Sequence, residues 1–170
     1  MSYKIIGVVC VVTACGGCGF LAAKQYLQRI RQLRQLISAL DYMECELQYR
    51  NTVLTDLCEQ TAQQCQGKIK TLFLVLSQEL EAQIAPNVAL CMGAALKRCS
   101  DLSEPVKEMC SVLGRSLGKF DLYGQIKGLE ATRGECREKL NALLINKDAR
   151  IRSYQTLGLC AGAALAILFV

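Results

Sequence analysis

Ile5-Ile6-Gly7-Val8-Val9-Cys10-Val11-Val12-Thr13-Ala14-Cys15-Gly16-Gly17-Cys18-Gly19-Phe20-Leu21-Ala22-Ala23 carries no charge, and a second uncharged run, 153–170, closes the chain. At ~1.5 Å rise per residue, the first run covers roughly 28 Å, close to the hydrocarbon thickness of a bilayer. Every acidic residue and every basic one except Lys4 lies between the two runs. The layout predicts a two-pass membrane protein, with transmembrane helices at 5–23 and 153–170. The water-facing domain, 24–152, would sit in the loop between them. At about 130 residues that domain has room for one hydrophobic core and not two.

Moving outward from the first run, 24–50 contains no proline or glycine. Leu27, Ile30, Leu33, Leu36, Ile37, Leu40, Met43 and Leu47 recur at steps of three and four, the stripe of one continuous helix. Asn51 and Thr52 break it, with a polar side chain placed to cap the next helix. That second helix is expected to end near Gln66-Gly67. A third covers about 68–82, stopped by Pro86 and Asn87. A fourth covers about 88–99, where Gly93, Ala94 and Ala95 permit close packing. Ser103 is a candidate N-cap for a fifth, Pro105 fits its first turn, and Gly118 its left-handed end. Asp121 is placed to cap a sixth helix from Leu122, with Ile126, Leu129, Thr132, Cys136, Leu140, Leu143 and Leu144 on one side. This helix is expected to continue into the second run. Leu, Ala, Gln, Glu, Lys and Arg dominate the middle, residues that lose little freedom in a helix. The fold class is therefore all-α, an antiparallel bundle of about six helices between two terminal transmembrane helices.

The net charge is +5, with 20 basic and 15 acidic residues. No aromatic-interleaved basic stripe accompanies it, so no nucleic-acid partner is expected. Lys24, Arg29, Arg31 and Arg34 follow the first run, and Lys147, Arg150 and Arg152 precede the second. These seven form a candidate collar at the lipid headgroups. The positive-inside bias then puts the central domain in the cytoplasm and both termini on the other side.

The chain has no histidine, which removes the commonest general base, nucleophile activator and metal ligand. Glu44/Glu46, Glu79/Glu81 and Glu135/Glu138 read as solvated helix surface. No Gly-Lys-Ser/Thr phosphate loop is present. No catalytic residue, cofactor or metal site is assigned, and the protein is not expected to be an enzyme. The eleven cysteines are odd in number and scattered. Cys45, Cys58, Cys91, Cys99, Cys110 and Cys136 fall at or near apolar helical positions and read as reduced, buried, small hydrophobes.

Cys15-Gly16-Gly17-Cys18 has CxxC spacing but lies inside the first apolar run, away from a redox fold. Ala14, Cys18 and Ala22 recur every four residues, and Gly158 and Gly162 do so in the second run. Both are candidate packing faces, between the two spans or between copies of the chain, set against lipid-facing filler. Val12-Thr13-Ala14-Cys15 offers an alternative: a lipoprotein signal, lipidated at Cys15, on an envelope-exposed helical binding protein.

Leu113-Gly114-Arg115-Ser116-Leu117-Gly118-Lys119-Phe120-Asp121, followed by Gln125-Ile126, resembles the stage III sporulation protein AB family. So do Arg31-Gln32-Leu33, Leu40-xxx-Glu44-xx-Leu47 and Thr52-xx-Thr55-xx-Cys58, in that order over the whole chain. Val53 stands where the family usually has proline. The resemblance implies a non-enzymatic membrane component of the channel between mother cell and forespore in spore formers. It also implies a domain similar to the platform proteins of type II secretion and type IV pili. The partners it implies are other channel membrane proteins and a cytoplasmic secretion-type ATPase, by analogy stage III sporulation protein AA. The turns at Asn51-Thr52 and at Gly118 and Asp121 are the candidate partner-facing surfaces, and a homo-oligomer is compatible with this picture.

Overall fold

In the computed structural model the described backbone covers residues 2–50, 52–82, 87–118 and 122–169. Side chains 2–12, 15, 159, 165, 166, 168 and 169 lie outside the description. So do Asn51, Pro86 and Asp121, and with them the roles expected of those residues. Among the described residues there are seven helices and no strand: α1 (Ser2–Arg50), α2 (Leu54–Gln64), α3 (Gly67–Glu81), α4 (Val88–Arg98), α5 (Glu104–Ser116), α6 (Leu122–Ile145) and α7 (Lys147–Phe169). The chain divides into two compact units. Unit 1 is Met1–Ile30 with Ala142–Val170, and unit 2 is Arg31–Asn141. The division falls inside the expected 24–152 domain, assigning 24–30 and 142–152 to the terminal helices.

Unit 2 is an all-helical domain in which α2 packs on α3, α3 on α4 and α4 on α5. Its core gathers one stripe from each helix. Leu33, Leu36, Leu40 and Met43 come from α1, Leu57 and Cys58 from α2, and Ile69, Leu72, Phe73 and Leu76 from α3. Cys91, Met92, Met109, Cys110, Leu113, Leu129 and Cys136 complete it. Each of the larger side chains contributes roughly 1.5–3 kcal/mol by leaving water. The α1 stripe matches its sequence pattern except at Leu27, which is exposed, and at Ile37, which is half-buried. The buried threonine hydroxyls are satisfied within their own helices: Thr61 donates to the Leu57 carbonyl at 2.6 Å and Thr132 to that of Gly128 at 2.9 Å.

Local punctuation differs from the sequence expectation in four places. The N-cap of α2 is Val53, which offers no side-chain acceptor. Asn87 does more than stop a pattern: its Oδ1 accepts the Leu90 N–H at 2.9 Å and starts α4. Ser103 is the N-cap of α5, but its hydroxyl makes no cap bond and has no partner. Instead the Ser103 N–H donates to Gln32 Oε1 at 2.9 Å, tying the start of α5 to α1. Close approach in α4 does not use Gly93, around which a Cβ would meet nothing. Gly114 of α5 makes that approach, where a Cβ would stand 2.7 Å from Met92 Cβ.

Unit 1 pairs the N-terminal part of α1 with the end of α6 and α7. The expected span 5–23 lies within α1, and 153–169 of the second within α7. Among the described residues no helix is long and apolar enough to cross a membrane, and both expected spans fall partly on side chains outside the description. The sixth helix does not continue into the second run. It ends at Ile145, Asn146 makes a turn, and its carbonyl accepts the Arg150 N–H at 2.9 Å to open α7.

Candidate functional site

The two turns singled out in the sequence converge. Thr52, ahead of α2, and Gly118, after α5, line one cleft of about 230 Å³ with Leu47, Leu54, Leu122 and Gln125. Gly118 has φ +74°, a conformation open to glycine at no steric cost. A Cβ there would also stand 2.6 Å from Val88 Cγ2. Both constraints make glycine the residue that lets α5 end and the chain turn back at this point. Beside the lining residues, Tyr49, Val53 and Tyr123 are among the most exposed large side chains of unit 2.

Beside this cleft runs a charged seam between α1 and α6. The Arg133 guanidinium donates to Asp41 at 2.8 Å and is also paired with Glu44, and Arg137 lies 3.7 Å from Asp41. The hydrogen bond that Arg133 donates to Asp41 is the largest cause pushing its pKa up; burial, next in size, opposes it, and the charges of Glu44, Asp41 and Glu130 add to the rise. Glu44 and Glu46 are therefore not open helix surface as expected: their side chains are only 14% and 12% exposed. Glu79 is likewise paired, with Arg98 at 2.8 Å. Spacing alone could not reveal the partners of Glu44 and Glu79, which lie outside their own helices, whereas Glu46 pairs with Arg50 one turn on.

Cys58, Cys65, Cys91, Cys110 and Cys136 are core residues, and Cys99 is half-buried. Burial pushes the thiol of Cys58 up to about 12, and those of Cys65 and Cys136 to about 11. Cys91, Cys99 and Cys110 are raised by the same cause. A thiol held protonated is neither a nucleophile nor a ready metal ligand. Cys45 is exposed, against expectation, and Cys65, which the pattern passed over, is buried. Among the described residues no group of three or more Cys, Asp or Glu side chains is arranged to hold a metal ion.

In unit 1 the close approach of α1 and α7 runs through Gly19. A Cβ at Gly19 would meet the Tyr154 carbonyl oxygen at 2.6 Å and Gly158 Cα at 3.4 Å. Gly158 and the buried Gly162 thus belong to a packed region, while Ala22 is half-buried and Ala14 and Cys18 are exposed. The inward positions of α1 are Gly19, Ala23, Tyr26 and Ile30, one step round the helix from the expected face. Tyr26 is the residue the sequence reading missed. Its hydroxyl donates to the Leu143 carbonyl at 2.6 Å, and the Arg150 guanidinium stands 6.0 Å from its ring centre. A lone tyrosine among charges just past an apolar run was the available signal. Of the candidate collar, Lys24, Arg29, Lys147, Arg150 and Arg152 belong to unit 1, and Arg31 and Arg34 to unit 2. All are exposed except Lys147, which is half-buried.

Residues 4–170 match the family model described as stage III sporulation protein AB. The chain is 30% identical over 172 residues to stage III sporulation protein AB of Bacillus subtilis (strain 168), covering 98% of this chain and 99% of that one. It is also similar to a solved structure of stage III sporulation protein AB, with a TM-score of 0.62 and 26% identity. That match covers 69% of this chain and 94% of the solved one.

Proposed function

The chain belongs to the stage III sporulation protein AB family, named for a stage of spore formation and not for a reaction, and from that premise we propose that it is a membrane platform of the mother cell–forespore channel that docks a cytoplasmic ATPase. The terminal runs 5–23 and 153–170 anchor it in the membrane twice, with the helical domain in the cytoplasm. The carrying observation is the meeting of the Thr52 and Gly118 turns in one cleft, with Tyr49, Val53 and Tyr123 exposed on neighbouring positions. Exposed aromatic side chains beside a pre-formed cleft are the kind of anchor around which interfaces concentrate binding energy. The ATPase suggested by resemblance is stage III sporulation protein AA.

The test uses the full chain in its native spore former. Val53→Glu with Tyr123→Ala changes two exposed side chains and leaves the core untouched. Membrane levels are expected to hold, co-purification of the ATPase to be lost, and heat-resistant spore counts to fall toward those of a deletion. A variant that retains both the ATPase and normal spore counts would refute docking at this cleft. A deletion strain that sporulates normally would remove the channel role itself.

A further inference from the structure

The net charge of the chain is carried by one of its two units. Unit 1 contains six basic residues against one acid, Asp148, and so carries the whole +5; unit 2 has fourteen of each sign. The ion pairs divide the same way. In unit 2, Arg50, Lys68, Arg98, Lys107, Arg133, Arg137 and Lys139 each reach a carboxylate. Among the described residues of unit 1 no cation does. Tyr26 joins the helices that carry these cations. Its hydroxyl binds the Leu143 carbonyl at the end of α6 and Arg150 of α7 lies over its ring, so the stretch of α1 that bears Lys24 and Arg29 meets the start of α7, which bears Lys147, Arg150 and Arg152. Next to the cations along each helix come exposed apolar side chains: Phe20 and Leu21 before Lys24, and Leu157 after Arg152.

Cations without internal counter-charges, set beside apolar side chains left open to the surroundings, have the chemistry of a bilayer's headgroup edge. We propose that Lys24, Arg29, Lys147, Arg150 and Arg152 form a binding surface for anionic phospholipid headgroups, gathered around Tyr26. The inference rests on the membrane-anchored reading above and adds a lipid preference to it. A surface intended for an acidic protein partner would not need the adjoining exposed Phe20, Leu21 and Leu157.

The experiment reconstitutes the full chain in mixed phosphatidylcholine–phosphatidylglycerol vesicles and measures the ratio of the two lipids that co-purify with it. Phosphatidylglycerol is expected to be enriched about fivefold over the bulk, the factor supplied by one headgroup-adjacent cation. The enrichment is expected to shrink in high salt, which screens exposed charges. Changing Lys24, Arg29, Lys147 and Arg152 to Gln, leaving Arg150 on Tyr26, is expected to bring the ratio sharply down toward that of the bulk. A control variant with Lys70, Lys97, Arg115 and Lys127 changed to Gln removes the same charge from exposed positions of unit 2, and should keep the enrichment. A wild-type ratio equal to the bulk, or equal loss in the two variants, overturns the proposal. If the chain resists alkaline carbonate extraction yet shows no lipid preference, this inference alone fails. If carbonate strips it from vesicles of either composition, the membrane anchoring fails and takes the inference with it.

Discussion

Unit 1 and unit 2 are held together by different forces. Unit 2 has a core of large apolar side chains, equal numbers of opposite charges, and ion pairs that link helices distant in sequence. Unit 1 has a backbone approach at Gly19, one buried tyrosine, exposed apolar side chains and uncompensated positive charge. The first pattern suits water, where burying Leu and Phe is the driving force. The second suits a setting where apolar surface gains little by leaving solvent and close backbone contact matters more. Each unit is therefore expected to fail under different insults.

The largest separation is expected from pH. Burial holds the Cys58, Cys65 and Cys136 thiols at about 12, 11 and 11, while an unfolded cysteine titrates near its ordinary value of ~8.5. The folded unit thus binds more protons than the unfolded chain above that value. Its stability is full below pH ~8.5 and is lost as pH rises toward the folded values, at about 1.4 kcal/mol per pH unit for each thiol. Taking the full chain from pH 8 to 10 should lower the protection factors of unit 2, each taken against the intrinsic exchange rate at that pH, and changing all three cysteines to Ala should flatten that dependence. An unchanged slope in the triple variant would mean other groups drive the loss. The described cysteines of unit 1, Cys18 and Cys160, are exposed.

Phe73→Ala comes next. Phe73 is fully buried, and its truncation should cost about 4 kcal/mol through lost transfer energy and a cavity. Exchange should rise through α2–α5 and leave the Tyr26 region of unit 1 protected; loss in both units together would break the distinction. Gly19→Val tests the other side. Its Cβ would collide with the Tyr154 carbonyl, at an expected cost of about 3 kcal/mol confined to unit 1. Arg133→Met sharpens the charge contrast, because it leaves the half-buried Glu44 without its cation and Asp41 with Arg137 alone. A loss of about 2 kcal/mol is expected in unit 2, and adding Glu44→Gln to the variant should recover part of it.

The sequence made the helices legible because their signals are local. Apolar steps of three and four, Pro105 in a first turn and Gly118 at a left-handed end each act within a few residues; α3 to α5 begin and end, and α6 begins, close to where these signals put them, while the end of α6 at Ile145 was missed. The contacts were less legible. Choosing Ala14, Cys18 and Ala22 over Gly19 required knowing which side of α1 meets α7, and small residues line more than one side. Glu44 and Arg133 lie far apart in sequence, so their pairing left no trace in spacing. Cys45 and Cys65 show the same limit: a pattern finds the stripe of a helix but not the depth of its edges or of the turn at its end. The two turns at Thr52 and Gly118 were legible singly, while their meeting in one cleft depended on how α2, α4 and α5 pack.

Tyr26→Phe carries the smallest expected effect and bears most directly on unit 1. Leu143 belongs to the last turn of α6, where carbonyls have no amide from the next turn to accept. The turn at Asn146 makes that deficit permanent, and the Tyr26 hydroxyl fills it at 2.6 Å. Phenylalanine keeps the ring beneath Arg150 and removes only that donor. The expected loss is about 1 kcal/mol, the net worth of one such bond, confined to the α6–α7 junction. Exchange should quicken at the amides of 147–150 while those of α2–α5 stay unchanged. Unchanged protection at the junction would mean that the ring and its cation, and not the hydroxyl, hold the two helices to α1. The contrast between the units would then rest on Gly19 alone.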